Sequence, residues 1–201
     1  AFGQSYNNLG YILGINPEIE GTTSGKTMGL ASYGQIHPDW LPYASEYVLK
    51  YEKLPTAKTG ELQQRGAGHR VNDVGLRDIP ELKKYLKPRK FPFEAHDLKD
   101  KIKLGLGLVH QDELTMLGPK DKDAQDLAAT VQHAWTLEVM NLINNHKSNF
   151  LNLCIVGGCA LNGTTNYEIE QSKLFEKVHF IPNPSDCGLS SGAALYVYYS
   201  I

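Results

Sequence analysis

The residues best suited to chemistry in this 201-residue chain lie in one stretch, LNLCIVGGCALNGTTNYEIEQSKLF, residues 151 to 175. An apolar run ends at Gly157 and Gly158, and Asn162 stands just behind them, where a helix begins. A strand of a parallel sheet directs its C-terminal end at the crevice where ligands collect. Glycines at that point let a ligand approach the backbone and adopt unusual φ values cheaply. Backbone N–H groups at the start of the next helix favour an anion, and an Asn amide adds a directional donor and acceptor. The combination suits nucleotide phosphates or a ribose. Neither G-x-x-x-x-G-K-[ST] nor G-x-G-x-x-G occurs at this turn, and tight turn packing is the competing reading of the glycine pair.

Other elements must position these residues. In DKDAQDLAATVQHAWTLEVMNLINNHK, the apolar Ala124, Leu127, Ala128, Val131, Trp135, Val139, Leu142 and Ile143 fall on one face of a helix predicted over 121–146. Asp121 and Asp123 suit the positive end of its dipole, His146 and Lys147 the negative end. FLNLCIV reads as a strand over 151–156, near-continuously apolar as in strands buried on both faces. A helix over 160–174, a strand over 178–182 and a helix over 188–199 follow. That order predicts an α/β fold with a parallel or mixed sheet. Upstream, Tyr6, Leu9, Tyr11 or Ile12, and Leu13 have helical spacing with Gly14 as a C-cap. Thr23 or Ser24 is placed to cap a short helix that Gly34 closes. Residues 41–53 fit a helix or a strand. Residues 35–120 read as an irregular or inserted region with one short helix near DIPELKKYL, and residues 121–201 as the α/β core. KPRKFPF reads as a solvated connection with two anchoring Phe residues rather than as a basic patch.

The chain is 41% hydrophobic and 21% charged, the composition of a soluble globular protein. Its net charge of -2 gives no ground for a general nucleic-acid or anionic-membrane binder. No apolar run reaches the roughly 18 residues of a membrane span. Cys154, Cys159 and Cys187 form no CxxC pair, which argues against a zinc ribbon. Reduced thiols, and a start at AFGQSYNNLG without a basic and then apolar leader, lead to a cytoplasmic expectation. The chain does not begin with Met, as expected of a piece cut from a longer one.

Four motifs in order are more specific than the turn alone. GKTMGLASYG resembles the K-x-M-G-L-A-x-Y-G segment of the O-carbamoyltransferases of nodulation-factor and antibiotic biosynthesis. DLAATVQHAWTLEV resembles their A-A-x-V-Q helix, CIVGGCALNGTTNYEI their GG-x-ALN loop, and IPNPSDCGLSSGAAL their P-x-x-x-D-x-G-x-x-x-G-A-A-L segment. The resemblance covers residues 1–34 and 121–201, and the middle matches loosely. It implies an actin-like ATPase (ribonuclease H-like) domain, shared with the enzymes that make threonylcarbamoyl-adenosine in transfer RNA. It also implies that ATP and carbamoyl phosphate form a carbamoyl-adenylate, whose carbamoyl group passes to a hydroxyl of a sugar or natural product. In the family a second domain consumes the carbamoyl phosphate. A divalent metal, usually iron and here with magnesium as the alternative, helps hold the nucleotide phosphates.

Carried over residue by residue, the resemblance places Gly157 and Gly158 against the nucleotide, with Asn162 as the polar residue of the loop. Lys26 becomes a point charge reaching a nucleotide hydroxyl or phosphate. Asp186 becomes a hard oxygen ligand to the metal. Each polar residue has a structural alternative: a helix N-cap for Asn162 and Asp186, and a solvated side chain for Lys26. Gly29 and Gly34 read as packing and turn residues, and no catalytic residue is assigned. The H-H-x-x-H metal motif and the carbamoyl-phosphate domain of the family are absent from these 201 residues. The chain therefore reads as one nucleotide-binding fragment of a longer carbamoyltransferase, inactive alone, with the rest of that chain as its partner and a homodimer compatible. Another enzyme of the same fold, a transfer-RNA threonylcarbamoyl enzyme or a sugar kinase, is one alternative. A non-catalytic nucleotide-binding module is the other.

Overall fold

The computed structural model describes residues 2–15, 23–52, 73, 75–88, 112–116, 118–181, 183–184 and 188–200. They form two compact units, residues 1–135 and 136–201. Among them are helices α1 (Phe2–Ile12), α2 (Ser24–Ala31), α3 (Leu41–Glu52), α4 (Lys122–His146), α5 (Gly163–Gln171) and α6 (Gly188–Ser200). The strands are β1 (Leu86–Pro88), β2 (Asp112–Leu114), β3 (Asn152–Ile155) and β4 (Lys177–Phe180). The fold is α/β, helices with a small parallel sheet. No helix among the described residues is long and apolar enough to cross a membrane.

The first unit is built around helices. The apolar stripe of α1 buries Leu9 and Ile12 completely, and α1 packs on α2 and α3. Gly14, at φ 74°, ends α1 by taking the left-handed turn that a side chain would resist. The Gly14 and Ile15 amides donate back to the Tyr11 and Gly10 carbonyls, closing the expected C-cap. Residues 41–52, undecided from sequence, are the helix α3, with Ala44, Tyr47 and Val48 fully buried. The Tyr47 hydroxyl leaves no polar debt in that core: it donates to the Ser5 carbonyl at 2.7 Å and accepts from Asn8 Nδ2 at 3.0 Å. The short helix expected near DIPELKKYL is present as a 3-10 helix, Pro80–Tyr85, preceded by a single 3-10 turn, Leu76–Asp78. Pro80 supplies no N–H at the start of the 3-10 helix, and Leu82 is its buried anchor. The chain then enters β1, which pairs antiparallel with β2, Leu86 opposite Leu114.

Helix α4 follows its predicted face only in part. Ala124, Leu127, Ala128, Val131 and Trp135 are buried, and a fully buried Leu or Val contributes about 1.5–3 kcal/mol. Asp121 caps the start, its Oδ1 accepting the Asp123 N–H at 3.0 Å. From Thr136 onward the helix belongs to the second unit, and Leu142, expected on the buried face, is 40% exposed.

In the second unit β3 and β4 pair in parallel, Asn152 with Lys177 through to Ile155 with Phe180. Helix α5 makes the crossover. The parallel order matches the prediction, but two-sided burial of β3 does not occur in this chain. Its residues alternate between exposed and half-buried, with Cys154 exposed. A two-stranded sheet has too few described neighbours to cover both faces. Helix α6 is likewise open: Leu189, Tyr196 and Tyr199 are all more than 70% exposed.

Candidate functional site

The glycine turn joins β3 to α5. Gly157 sits at φ 84°, ψ 175°, a backbone conformation accessible essentially to glycine alone. A one-turn 3-10 segment, Gly158–Leu161, follows. Its frame is closed by the Ala160 N–H donating to the Gly157 carbonyl at 3.0 Å and the Asn162 N–H to the Cys159 carbonyl at 3.1 Å.

The inner side of the turn is buried and fully engaged. Asn162 Oδ1 accepts the Thr165 N–H at 3.1 Å, so Asn162 is the N-cap of α5. Asn166 Nδ2 donates to the Ala160 carbonyl at 2.7 Å. The Thr136 and Thr165 hydroxyls lie 2.7 Å apart, tying α5 to the adjoining turn of α4. Ala160, Asn162 and Thr165 are all buried. The outer side is bare. Gly157, Gly158 and Gly163 are exposed, and a Cβ built on any of them meets no atom within 4 Å. The arrangement is a rigid base presenting open backbone at the C-terminal end of a parallel strand, the position where ligands of open α/β sheets gather.

Lys26 lies in the first unit, exposed on α2. Gly25 and Gly29, four residues apart on that helix, also have open space at the Cβ position. Gly29 is therefore not the packing residue expected. Gly34 is: a Cβ there would collide with the backbone carbonyl of Gln125. Thr23 holds the N-cap position of α2 but makes no side-chain cap bond. Its hydroxyl donates instead to the Asn7 carbonyl at 2.7 Å, because α1 passes close beside it.

Of the residues singled out from sequence, Gly157, Gly158 and Asn162 thus come together in one turn. Lys26 belongs to the other unit, and Asp186 lies outside the described residues. Among the described residues no three His, Cys, Asp or Glu side chains group in a way that could hold a metal ion.

Two carboxylates of α4, Asp126 and Asp123, each gather polar partners that no sequence motif marks. Asp126, 5% exposed, accepts from the Gln35 N–H at 2.7 Å and from Lys122 Nζ at 2.6 Å, and its Oδ2 lies 3.1 Å from His37 Nε2. Burial pushes the Asp126 carboxyl up, but these donors outweigh it and hold it below the usual carboxylate range. Asp123 is lowered in the same way: burial raises it, while Lys84 and the Tyr85 hydroxyl stabilise the charge. The Tyr85 phenol moves up in consequence, through burial and its acidic neighbours. The signal for Asp126 was present in DLAATV, where a carboxylate adjoins the buried face of an amphipathic helix.

Comparison with known proteins identifies the family. Nodulation protein NolO of Bradyrhizobium diazoefficiens is 30% identical over 98 residues, 47% of this chain and 18% of that protein. Nodulation protein U of the same organism is 33% identical over 96 residues, 44% of this chain and 17% of the relative. Nodulation protein U of Sinorhizobium fredii is 40% identical over 58 residues, 28% of this chain and 10% of the relative. The matched stretches are thus less than a fifth of each relative's length. The family described as carbamoyltransferase N-terminus matches residues 1–195, nearly the whole chain, and the chain belongs to that carbamoyltransferase family.

Proposed function

We propose that this chain forms part of the nucleotide-binding surface of an ATP-dependent O-carbamoyltransferase with an actin-like ATPase domain. The observation that carries the reading is the glycine turn, bare outside and locked inside, in a chain of this family. A nucleotide phosphate or ribose lies against Gly157 and Gly158, where the absence of a Cβ permits close approach. The first N–H groups of α5 and the positive end of its dipole favour the phosphate charge. Asn162 acts through shape: its cap fixes the first turn of α5 and hence the direction of those N–H groups. Lys26 supplies a positive charge for a nucleotide phosphate or hydroxyl. The nucleotide is ATP: carbamate, released from carbamoyl phosphate with loss of phosphate, attacks the α-phosphorus, pyrophosphate leaves, and a carbamoyl-adenylate results. A hydroxyl of a sugar or natural product then takes the carbamoyl group, and AMP leaves. A divalent cation bound to the phosphates is the proposed partner of Asp186, as a hard oxygen ligand.

The test is turnover by the full-length protein supplied with ATP, labelled carbamoyl phosphate and a panel of hydroxylated acceptors. Label transfer that requires ATP and is lost in Gly158→Val is expected. Transfer that proceeds equally without ATP, or unchanged in Gly158→Val, would refute the reading.

A further inference from the structure

Helix α2, which carries Lys26, is gripped at both ends. At its start the Thr23 N–H donates to Asn7 Oδ1 at 2.8 Å, and the Thr23 hydroxyl reaches the Asn7 carbonyl. At its end the grip is on α4. The Gly34 backbone lies against the Gln125 carbonyl so closely that no side chain fits. The Gln35 N–H donates to Asp126 Oδ1 at 2.7 Å, and the His37 N–H donates to Thr130 Oγ1 at 3.0 Å. The His37 ring stacks on Trp40, with centroids 4.3 Å apart, and turns Nε2 to Asp126 Oδ2.

Packing alone does not call for a carboxylate here. An apolar residue would fill a helix margin without the desolvation that a buried charge incurs. A carboxylate held by a backbone N–H, an ammonium and an imidazole instead fixes one register of the segment against the helix. The turn from residue 29 to residue 34 is itself hydrogen-bonded throughout, Ser32 to Gly29, Tyr33 to Leu30 and Gly34 to Ala31. Displacement at residues 34–37 is therefore transmitted to α2.

We infer that Asp126 is a positioning residue for the nucleotide site, holding residues 34–37 against α4 and so setting where α2 presents Lys26 to the ligand. This rests on the proposed role of Lys26 in nucleotide binding. A double-mutant cycle in the full-length protein tests it, with ATP affinity measured by calorimetry for wild type, Lys26→Ala, Asp126→Asn and the double variant. Asp126→Asn keeps the shape and the oxygen that accepts the Gln35 N–H, but removes the charge. Each single variant is expected to bind ATP about tenfold more weakly. The double variant should be no weaker than Lys26→Ala alone, an outcome that general loss of stability would not produce.

If Lys26→Ala weakens binding while Asp126→Asn binds like wild type, or the two losses add, the positioning role falls and the nucleotide site stands. If Lys26→Ala itself binds like wild type, the role of Lys26 falls and the inference with it. His37→Phe repeats the cycle while leaving Asp126 paired with Lys122 and Gln35, so that a folding defect in Asp126→Asn cannot hide the answer. A non-additive loss of about threefold is expected there, and an additive loss or none would overturn the inference.

Discussion

Replacing the two glycines of the turn one at a time separates backbone strain from ligand space. Gly157 has φ 84° and ψ 175°, so Gly157→Ala forces an L-residue into a glycine-only conformation, at a cost of about 1–3 kcal/mol. No atom lies within 4 Å of its Cβ position, so steric collision adds nothing. At no more than roughly 2–4 °C per kcal/mol in a protein larger than this chain, the melting temperature should fall by up to about 12 °C. Gly158 also has open space at its Cβ position, and it is not among the glycines with positive φ. Gly158→Ala should therefore change stability by less than about 0.5 kcal/mol. Its methyl group, however, projects into the space assigned to the nucleotide. Thermal melts of the full-length protein, each with and without ATP, read both quantities. Gly157→Ala should melt lower without ligand. Gly158→Ala should melt like wild type without ligand yet gain less from ATP, because stabilisation by a ligand follows its affinity, and Gly158→Val should gain least. Equal melting of Gly157→Ala and wild type would refute the strain argument. An undiminished ATP shift in Gly158→Val would refute the placement of the ligand.

Asn162→Ala should lower stability by about 0.5–2 kcal/mol through loss of the α5 cap, and Asn162→Ser should restore most of it; thermal melts of the two variants decide, and an unaffected Asn162→Ala would deny the capping role. The Asp126 carboxyl is held lower in the folded state than its unfolded value of about 3.9, so its stabilising contribution is fully present above that pH and is lost as pH falls through the folded value. The gap in melting temperature between wild type and Asp126→Asn should consequently be wide at neutral pH and close under acid, whereas a gap that stays constant on acidification would contradict the assignment. Asp186→Asn, which keeps the size of the side chain but removes its charge, should lower metal-dependent turnover steeply because a neutral amide holds a hard cation poorly; full activity would remove Asp186 from the proposed site.

The sequence made the helical face of α4 and the strand–helix–strand order readable because both are periodic, local signals. What covers a face is not local. The spacing that marks Leu127 and Val131 also marks Leu142, yet the first two are fully buried and the last is 40% exposed. The apolar run of β3 likewise announced a strand but not how many neighbours it would have in this chain. Thr23 had the composition of a cap, but a close neighbouring helix took its hydroxyl. Asn162 was readable as both a cap and a ligand residue, and its oxygen is engaged in the cap. Gly29 and Gly34 looked alike in GKTMGLASYG, and only the path of α4 distinguishes them, pressing on one and leaving the other open. The partners of Asp126 are not legible in sequence because they are spread over residues 35, 37 and 122, a juxtaposition that only folding creates.

The most direct test of the central claim is a crystal structure of the full-length protein bound to a non-hydrolysable ATP analogue. Nucleotide atoms in van der Waals contact with Gly157 and Gly158, within about 4 Å of their backbone, are predicted. A nucleotide bound elsewhere in the protein, with this turn still bare, would contradict the account.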